Sequence, residues 1–157
     1  MLVRPAEESF QKGLAALAQK RRVEAMALFE AAIELERTFG AEKIEARYLS
    51  YFGLCLSMDK RRAHEGVKFC REALAAEFFN PDLYLNLGRA LLASDRRKEA
   101  FAILHQGLGW ERRHPGIVKE LRAMGRRRKP PIPFLARSNP LNVFLGRISY
   151  QRAATAR

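Results

Sequence analysis

The feature that most constrains the fold of this chain is an amphipathic segment between positions 81 and 107. Leu83 and Leu87 follow the four-residue spacing of one helical face, and Gly88 interrupts that helix near its middle. Glycine costs about 1 kcal/mol relative to alanine in a helix, so its presence indicates close approach of a second helix. A polar turn at Ser94 then leads into another amphipathic helix. The segment therefore predicts a helical hairpin with close packing.

The same pattern occurs twice more upstream. In each copy a glycine is followed by a small residue, a larger residue and a second small residue at nearly fixed spacing. The glycine-to-glycine periods are 40 residues (53 − 13) and 35 residues (88 − 53), which are typical of a solenoid of helical hairpins. The three series are Gly13, Ala25, Phe29 and Ala32; Gly53, Gly66, Cys70 and Ala73; and Gly88, Ala100, Leu104 and Gly107.

These series resemble the tetratricopeptide repeat family, whose 34-residue unit carries a glycine, alanine, aromatic and alanine pattern. The resemblance implies an all-α fold, a right-handed α-solenoid of three hairpins with a C-terminal capping helix. The prolines that follow the second and third hairpins come late, which predicts second helices about one turn longer than the family norm. The expected repeats span about 5–39, 41–79 and 81–113, the capping helix spans 115–124, and together they form a domain of residues 1–125. Within the second repeat we expect helices over 41–58 and 64–79.

Positive charge is concentrated at the end of the chain. The net charge is +12, and residues 116–157 hold ten Lys and Arg against the single Glu120, a net of +9. We expect residues 126–157 to form an extended basic tail, with prolines at 130, 131 and 133 and a short helix over 140–150. Two interpretations stay open: the tail folds back on the repeats, or it binds a partner.

The resemblance implies a binding site for peptides or extended protein segments on the concave surface, which is lined by the first helix of each hairpin. Apolar pockets and hydrogen-bonding side chains on that surface suit an extended segment. The alternative is an ordinary solvated face. The residues assigned to this surface are Phe10, Leu14, Leu17, Arg47, Ser50, Leu54, Met58, Asp82, Asn86 and Arg89.

A second candidate site is formed by arginines in the turns between paired helices. Stacking of the hairpins would align these turns along one edge, where they would attract phosphates or an acidic partner. With the basic tail, this ridge suggests RNA, a ribosome or an anionic membrane surface as an alternative partner. The alternative to a binding role is that these turn charges only increase the solubility of the protein. The residues are Arg21, Arg22, Arg61, Arg62, Arg96 and Arg97 in the turns, and Arg126, Arg127, Arg128 and Lys129 in the tail.

Several function classes have no support in the sequence. It contains no glycine-rich phosphate loop, no nucleophile with a base and no metal-ligand spacing, so we expect neither catalysis, nor a cofactor, nor a metal. Cys55 and Cys70 are interpreted as small buried apolar residues, although a redox pair or half of a metal site is the alternative. The sequence also lacks a membrane-span-length apolar run and a signal peptide, which favours a cytoplasmic protein. The expected role is a non-catalytic scaffold or adaptor that binds a protein segment.

Overall fold

A computed structural model of the chain describes residues 4–125, 139–141 and 143–145. These residues form helices and no strands. The helices are α1 (Pro5–Ala18), α2 (Arg22–Thr38), α3 (Ala46–Ser57), α4 (Ala63–Ala76), α5 (Pro81–Ala93), α6 (Arg97–Trp110) and α7 (Pro115–Gly125). The chain divides into two compact units, Met1–Arg122 and Ala123–Arg157. In the second unit, residues 140–141 and 143–145 are helical; the rest of the expected 140–150 helix lies outside the described residues.

The first unit is built from three helical hairpins, which confirms the all-α fold. Helix α1 packs on α2, α3 on α4, and α5 on α6, and each hairpin also packs on the next one. Short turns join the two helices of each hairpin, as expected for antiparallel neighbours. The turns therefore lie at one edge of the unit, and the linkers between hairpins lie at the opposite edge.

Aromatic side chains join the first hairpin to the second. The Phe10 ring of α1 lies 4.8 Å from the Tyr48 ring and 5.5 Å from the Phe29 ring, measured between ring centroids. The Tyr51 ring of α3 in turn lies 5.6 Å from the Phe29 ring. Such tilted and edge-to-face pairs add about 0.5–1.5 kcal/mol each beyond the apolar area they bury.

The repeated glycines lie where paired helices approach most closely. A Cβ atom at Gly53 would lie 2.6 Å from the carbonyl oxygen of Gly66, and one at Gly66 would lie 2.5 Å from the backbone nitrogen of Ser57. A Cβ atom at Gly13 would lie 2.6 Å from the Phe29 ring. At equivalent glycines, the neighbouring helix therefore brings either its backbone or a large core side chain into contact. This is the close approach of paired helices that the glycine spacing predicted.

Helix α3 begins five residues later than expected, because the linker before it is held in a non-helical conformation. Gly40 has a φ of +72°, in the left-handed region that favours glycine, and it ends α2. The buried carboxylate of Glu36 then accepts a hydrogen bond from the backbone N–H of Glu45 at 2.8 Å. That contact competes with helical hydrogen bonding, so the expected helix over 41–58 is wrong at its start.

The expected extra turn of the later second helices is also wrong. Helices α4 and α6 have 14 residues each and end at Ala76 and Trp110, so the residues before the prolines form linkers. Asn80 stabilises the first of these linkers by accepting a hydrogen bond from the backbone N–H of Asp82 at 3.1 Å, which caps α5. A side-chain cap of this kind favours a new helix start over continuation of α4.

We predict that Gly53→Ala will destabilise the fold by about 1–3 kcal/mol or more, because the added methyl meets backbone rather than a flexible side chain. Chemical denaturation will measure the free energy of unfolding. The matched control is Gly109→Ala in α6, where an added Cβ has no neighbour within 4 Å. That change should stabilise the protein by up to about 1 kcal/mol through helix propensity. Equal effects of the two substitutions would contradict the close-packing interpretation.

Candidate partner-binding face

The first helices of the three hairpins, α1, α3 and α5, form one side of the first unit together with the start of α7. We call this side the first-helix face. The ten residues that the sequence assigned to it fall into two groups. The buried group is Phe10, Ser50, Leu54 and Asn86. The group that keeps part of each side chain at the surface is Leu14, Leu17, Arg47, Met58, Asp82 and Arg89.

Arg47 joins α1 to α3 through a dense set of contacts. Its guanidinium donates to the Glu7 carboxylate at 2.5 and 3.3 Å and to the Glu45 carboxylate at 2.5 Å. The same guanidinium lies 5.1 Å from the centre of the Phe10 ring, and the Tyr48 hydroxyl donates to Glu7 at 2.8 Å. Its donors are largely used within the unit, so Arg47 contributes mainly to the contact between hairpins.

The contacts around Arg47 also shift the pKa values of Glu7 and Tyr48. The side-chain hydrogen bond from Gln11 lowers the pKa of Glu7, and the Tyr48 hydroxyl and Arg47 add to that effect against the opposing influence of burial. Burial raises the pKa of Tyr48, and its hydrogen bond to Glu7 raises it further. Glu7 is therefore held as a carboxylate and Tyr48 as a neutral hydroxyl.

Ser50 and Asn86 join α3 to α5 inside the core. The Asn86 amide donates to the Ser50 hydroxyl at 3.1 Å, and both side chains are almost fully buried. The Cys70 thiol of α4 donates to the Ser50 carbonyl oxygen at 3.3 Å, which ties the paired helix to the same point. A buried amide must have hydrogen-bond partners, so this contact fixes how the second and third hairpins align.

The last polar contacts on the first-helix face join α5 to α7. Arg89 donates to the Glu120 carboxylate at 2.8 Å. The Nε2 atom of His114 lies 3.1 Å from the Asp82 carboxylate oxygen. The Nδ1 atom of the same ring accepts a hydrogen bond from the backbone N–H of Ile117 at 3.2 Å. The imidazole therefore carries its proton on Nε2 and caps the first turn of α7. Three neighbouring pairs of helices are thus each joined by polar contacts, from α1 to α7.

The surface left for another molecule on this face has an apolar part and a charged part. Leu14 and Leu17 are half-buried near the end of α1, and Met58, which is 38% exposed, caps the end of α3. Asp82 is exposed at the start of α5, and Arg89 is half-buried further along it. The apolar residues lie near the turn end of the face, and Asp82 lies at its linker end.

The turn arginines form regular local ion pairs. Arg21, Arg62 and Arg96 each occupy the position before the second helix of a hairpin and bind the glutamate three residues later. The pairs are Arg21 with Glu24 at 2.5 Å, Arg62 with Glu65 at 2.9 Å and Arg96 with Glu99 at 2.7 Å. Arg71 of α4 also binds Glu99, at 2.9 Å. These pairs neutralise part of the ridge charge. Tail residues Arg126, Arg127, Arg128 and Lys129 lie outside the described residues.

The cysteines are free, buried thiols. Burial raises the pKa of Cys55 to about 11 and that of Cys70 to about 12, so both are protonated at neutral pH and unreactive as nucleophiles. Across residues 4–125 and the short described part of the tail, no group of three or more His, Cys, Asp or Glu is placed to hold a metal ion. No helix in those same residues is long and apolar enough to cross a membrane.

Comparison with solved structures supplies an independent view of the fold. The TPR domain of Arabidopsis OM64 superposes with a TM-score of 0.61 over 78% of this chain and 96% of that domain. The chain has the tetratricopeptide-repeat (TPR) fold. Sequence identity to the OM64 domain is 23%, so the likeness concerns the fold. No protein-family profile and no curated protein sequence matches the chain.

Sequence reasoning missed the acidic partners on the first-helix face of this TPR fold. Glu7 and Glu120 lie 40 and 31 positions from the arginines they bind, and the spacing of charges along one helix carries no signal for such pairs. The exposed aromatic residues of the linkers were also missed, although their position after each second helix can be recognised in the sequence.

We predict that Glu7→Gln will destabilise the protein by about 1 kcal/mol at pH 7 and flatten its loss of stability in acid. A carboxyl with a lowered pKa in the folded state contributes stability that is present above its unfolded pKa of about 4.3. That contribution is lost as the pH falls through the folded pKa. Urea unfolding measured from pH 7 down to about pH 3 will show the difference.

Two further variants test whether the pH dependence of unfolding comes from the Glu7 carboxylate. Tyr48→Phe removes one donor to Glu7 and should give an intermediate pH dependence. Glu8→Gln is the matched control, since Glu8 pairs with Lys12 in open solvent, where water screens the ion pair. If Glu7→Gln and wild type lose stability in parallel on acidification, the proposed role of the Glu7 carboxylate is wrong.

Proposed function

We propose that the chain is a non-catalytic scaffold or adaptor that binds an extended segment of a partner protein on its first-helix face. The observation that carries this proposal is that Leu14, Leu17 and Met58 stay partly exposed near the turn ends of α1 and α3, while Asp82 and Arg89 supply charges along α5. An extended segment that crosses the face would place an apolar anchor against the first group and polar groups toward the charges of α5.

The buried members of the assigned set support this role indirectly. Phe10, Ser50 and Asn86 join neighbouring hairpins and Leu54 is buried beside them in α3, so the exposed residues are presented on a preorganised support. A preorganised surface loses little conformational entropy when a partner binds. The contact residues of the proposed site are therefore the six that remain at the surface. Both cysteines are free thiols, which suits a reducing compartment such as the cytoplasm.

The alternative function, polyanion binding through the ridge and the basic tail, rests on the charge of +9 in residues 116–157. The local ion pairs at Arg21, Arg62 and Arg96 reduce the positive charge that the ridge presents to phosphates. The two functions differ in their response to salt. Polyanion binding weakens steeply as salt rises because counterions are released, whereas apolar anchoring does not.

We predict that peptides selected for binding to the full chain will lose at least about tenfold in affinity to Met58→Glu. The substitution places a charge within the proposed apolar part of the face. Fluorescence polarisation at low and high salt will measure the affinities, and circular dichroism will verify that the variant folds. Val23→Glu is the matched control, because Val23 is an exposed apolar residue at the start of α2, outside the first-helix face.

Peptides that bind wild type, Met58→Glu and Val23→Glu equally would contradict the proposed site. If the selected ligands were nucleic acid or acidic chains released by moderate salt, the polyanion function would replace the scaffold function.

A further inference from the structure

An exposed aromatic cluster lies at the edge where the linkers between hairpins meet. Phe78 and Phe79 belong to the linker between α4 and α5, and Trp110 is the last residue of α6. Their side chains are 59%, 58% and 52% exposed. Ring centroids lie 5.7 Å apart between Phe78 and Phe79 and 5.6 Å apart between Phe78 and Trp110. Three large aromatic residues clustered in solvent are unusual for a monomer and mark an interaction surface.

Hydrogen bonds hold this cluster in place. The Trp110 indole N–H donates to the Tyr84 hydroxyl at 3.0 Å, and that hydroxyl donates to the carbonyl oxygen of Phe78 at 2.7 Å. Tyr84 itself is buried, so it anchors both neighbours to α5. The polar groups of the cluster are used internally, and the ring faces and edges are what it presents to water. Rigid aromatic residues of this kind make good anchors because they lose little conformational entropy on binding.

Charges of both signs flank the aromatic rings. Glu77 precedes Phe78, and Glu111, Arg112 and Arg113 follow Trp110. None of these four residues forms an ion pair with another described residue. A partner of uniform charge would leave one sign unmatched. Groups of both signs around an apolar centre allow a two-fold copy to place each sign against its opposite.

We propose that the Phe78, Phe79 and Trp110 cluster is the centre of a two-fold interface between two copies of this chain. In that interface the aromatic rings of the two copies pack together. Arg112 and Arg113 of one copy face Glu77 and Glu111 of the other. An isologous dimer is the commonest symmetric assembly of soluble proteins, and an aromatic centre with a charged rim is its usual composition.

The proposed interface uses none of the ten residues assigned to the first-helix face. Dimerisation through the linker edge would leave Leu14, Leu17 and Met58, near the turn ends of α1 and α3, available, and the dimer would present two copies of this apolar part of the partner site. Two linked sites raise the overall affinity for a partner that offers two copies of the bound segment. The interface and the partner site are thus independently testable.

Sedimentation equilibrium of the full chain tests the proposal. We expect the mass to rise with concentration from 17.9 kDa toward twice that value. The double variant Phe78→Ser, Phe79→Ser should weaken association at least about tenfold, because it removes two of the three anchors. Phe101→Ser is the matched control, since Phe101 is 49% exposed on α6 but packs on His105 outside the cluster. It should associate as wild type does.

A charge-exchange experiment tests the two-fold arrangement. Arg112→Glu with Arg113→Glu in one chain, and Glu77→Arg with Glu111→Arg in another, should each weaken self-association. Mixing the two chains should restore it as a heterodimer. A chain that stays monomeric up to about 1 mM would overturn the proposal. So would association that the Phe78 and Phe79 substitutions leave unchanged, or a mixture of the charge variants that fails to associate.

Discussion

The close backbone contact between α3 and α4 is the constraint on which the rest of the first unit depends. Gly53 and Gly66 let the backbones of the two helices touch. A Cβ atom added at either glycine would collide with the backbone of the other helix, so the helices would have to move apart. The pair lies in the central hairpin, which packs on both of the others. Because packed interiors tolerate little added volume, these two glycines set the positions of the flanking hairpins. Gly13 and Gly88 repeat the arrangement with Phe29 and Leu104 as the facing side chains.

The polar residues of the first-helix face illustrate how one surface serves both stability and binding. Arg47, Asn86 and Arg89 were assigned to partner binding because polar side chains there suit an extended segment. The structure shows each of them joined to a neighbouring helix, by Glu7, Ser50 and Glu120 respectively. Hydrogen bonds and ion pairs across hairpins fix the register of a repeat stack, where apolar packing alone would allow sliding. What a partner can contact is then the smaller set of side chains left at the surface.

The spacing of small residues predicted the hairpins, their order and their closest contacts, because these depend on short-range helical periodicity. The same spacing did not predict where helices begin and end next to the linkers. The late start of α3 depends on the buried carboxylate of Glu36 reaching the backbone of Glu45, a tertiary contact without a local signal. The early end of α4 depends on Asn80, which starts the next helix. For the candidate site, positions on a face could be predicted, but the partners that decide which side chains stay accessible lie tens of residues away.

Because α3 and α4 set the positions of both flanking hairpins, the three hairpins should unfold as one cooperative stack, and the single tryptophan allows a direct test. Trp110 lies in the third hairpin, whereas Gly13 lies in the first. The measurement is denaturant unfolding of wild type and Gly13→Ala, followed by Trp110 fluorescence and by far-ultraviolet circular dichroism. A cooperative stack predicts coincident transitions for both probes, shifted together to lower denaturant in Gly13→Ala. A fluorescence transition left in place while the circular dichroism transition splits would show that the hairpins unfold independently.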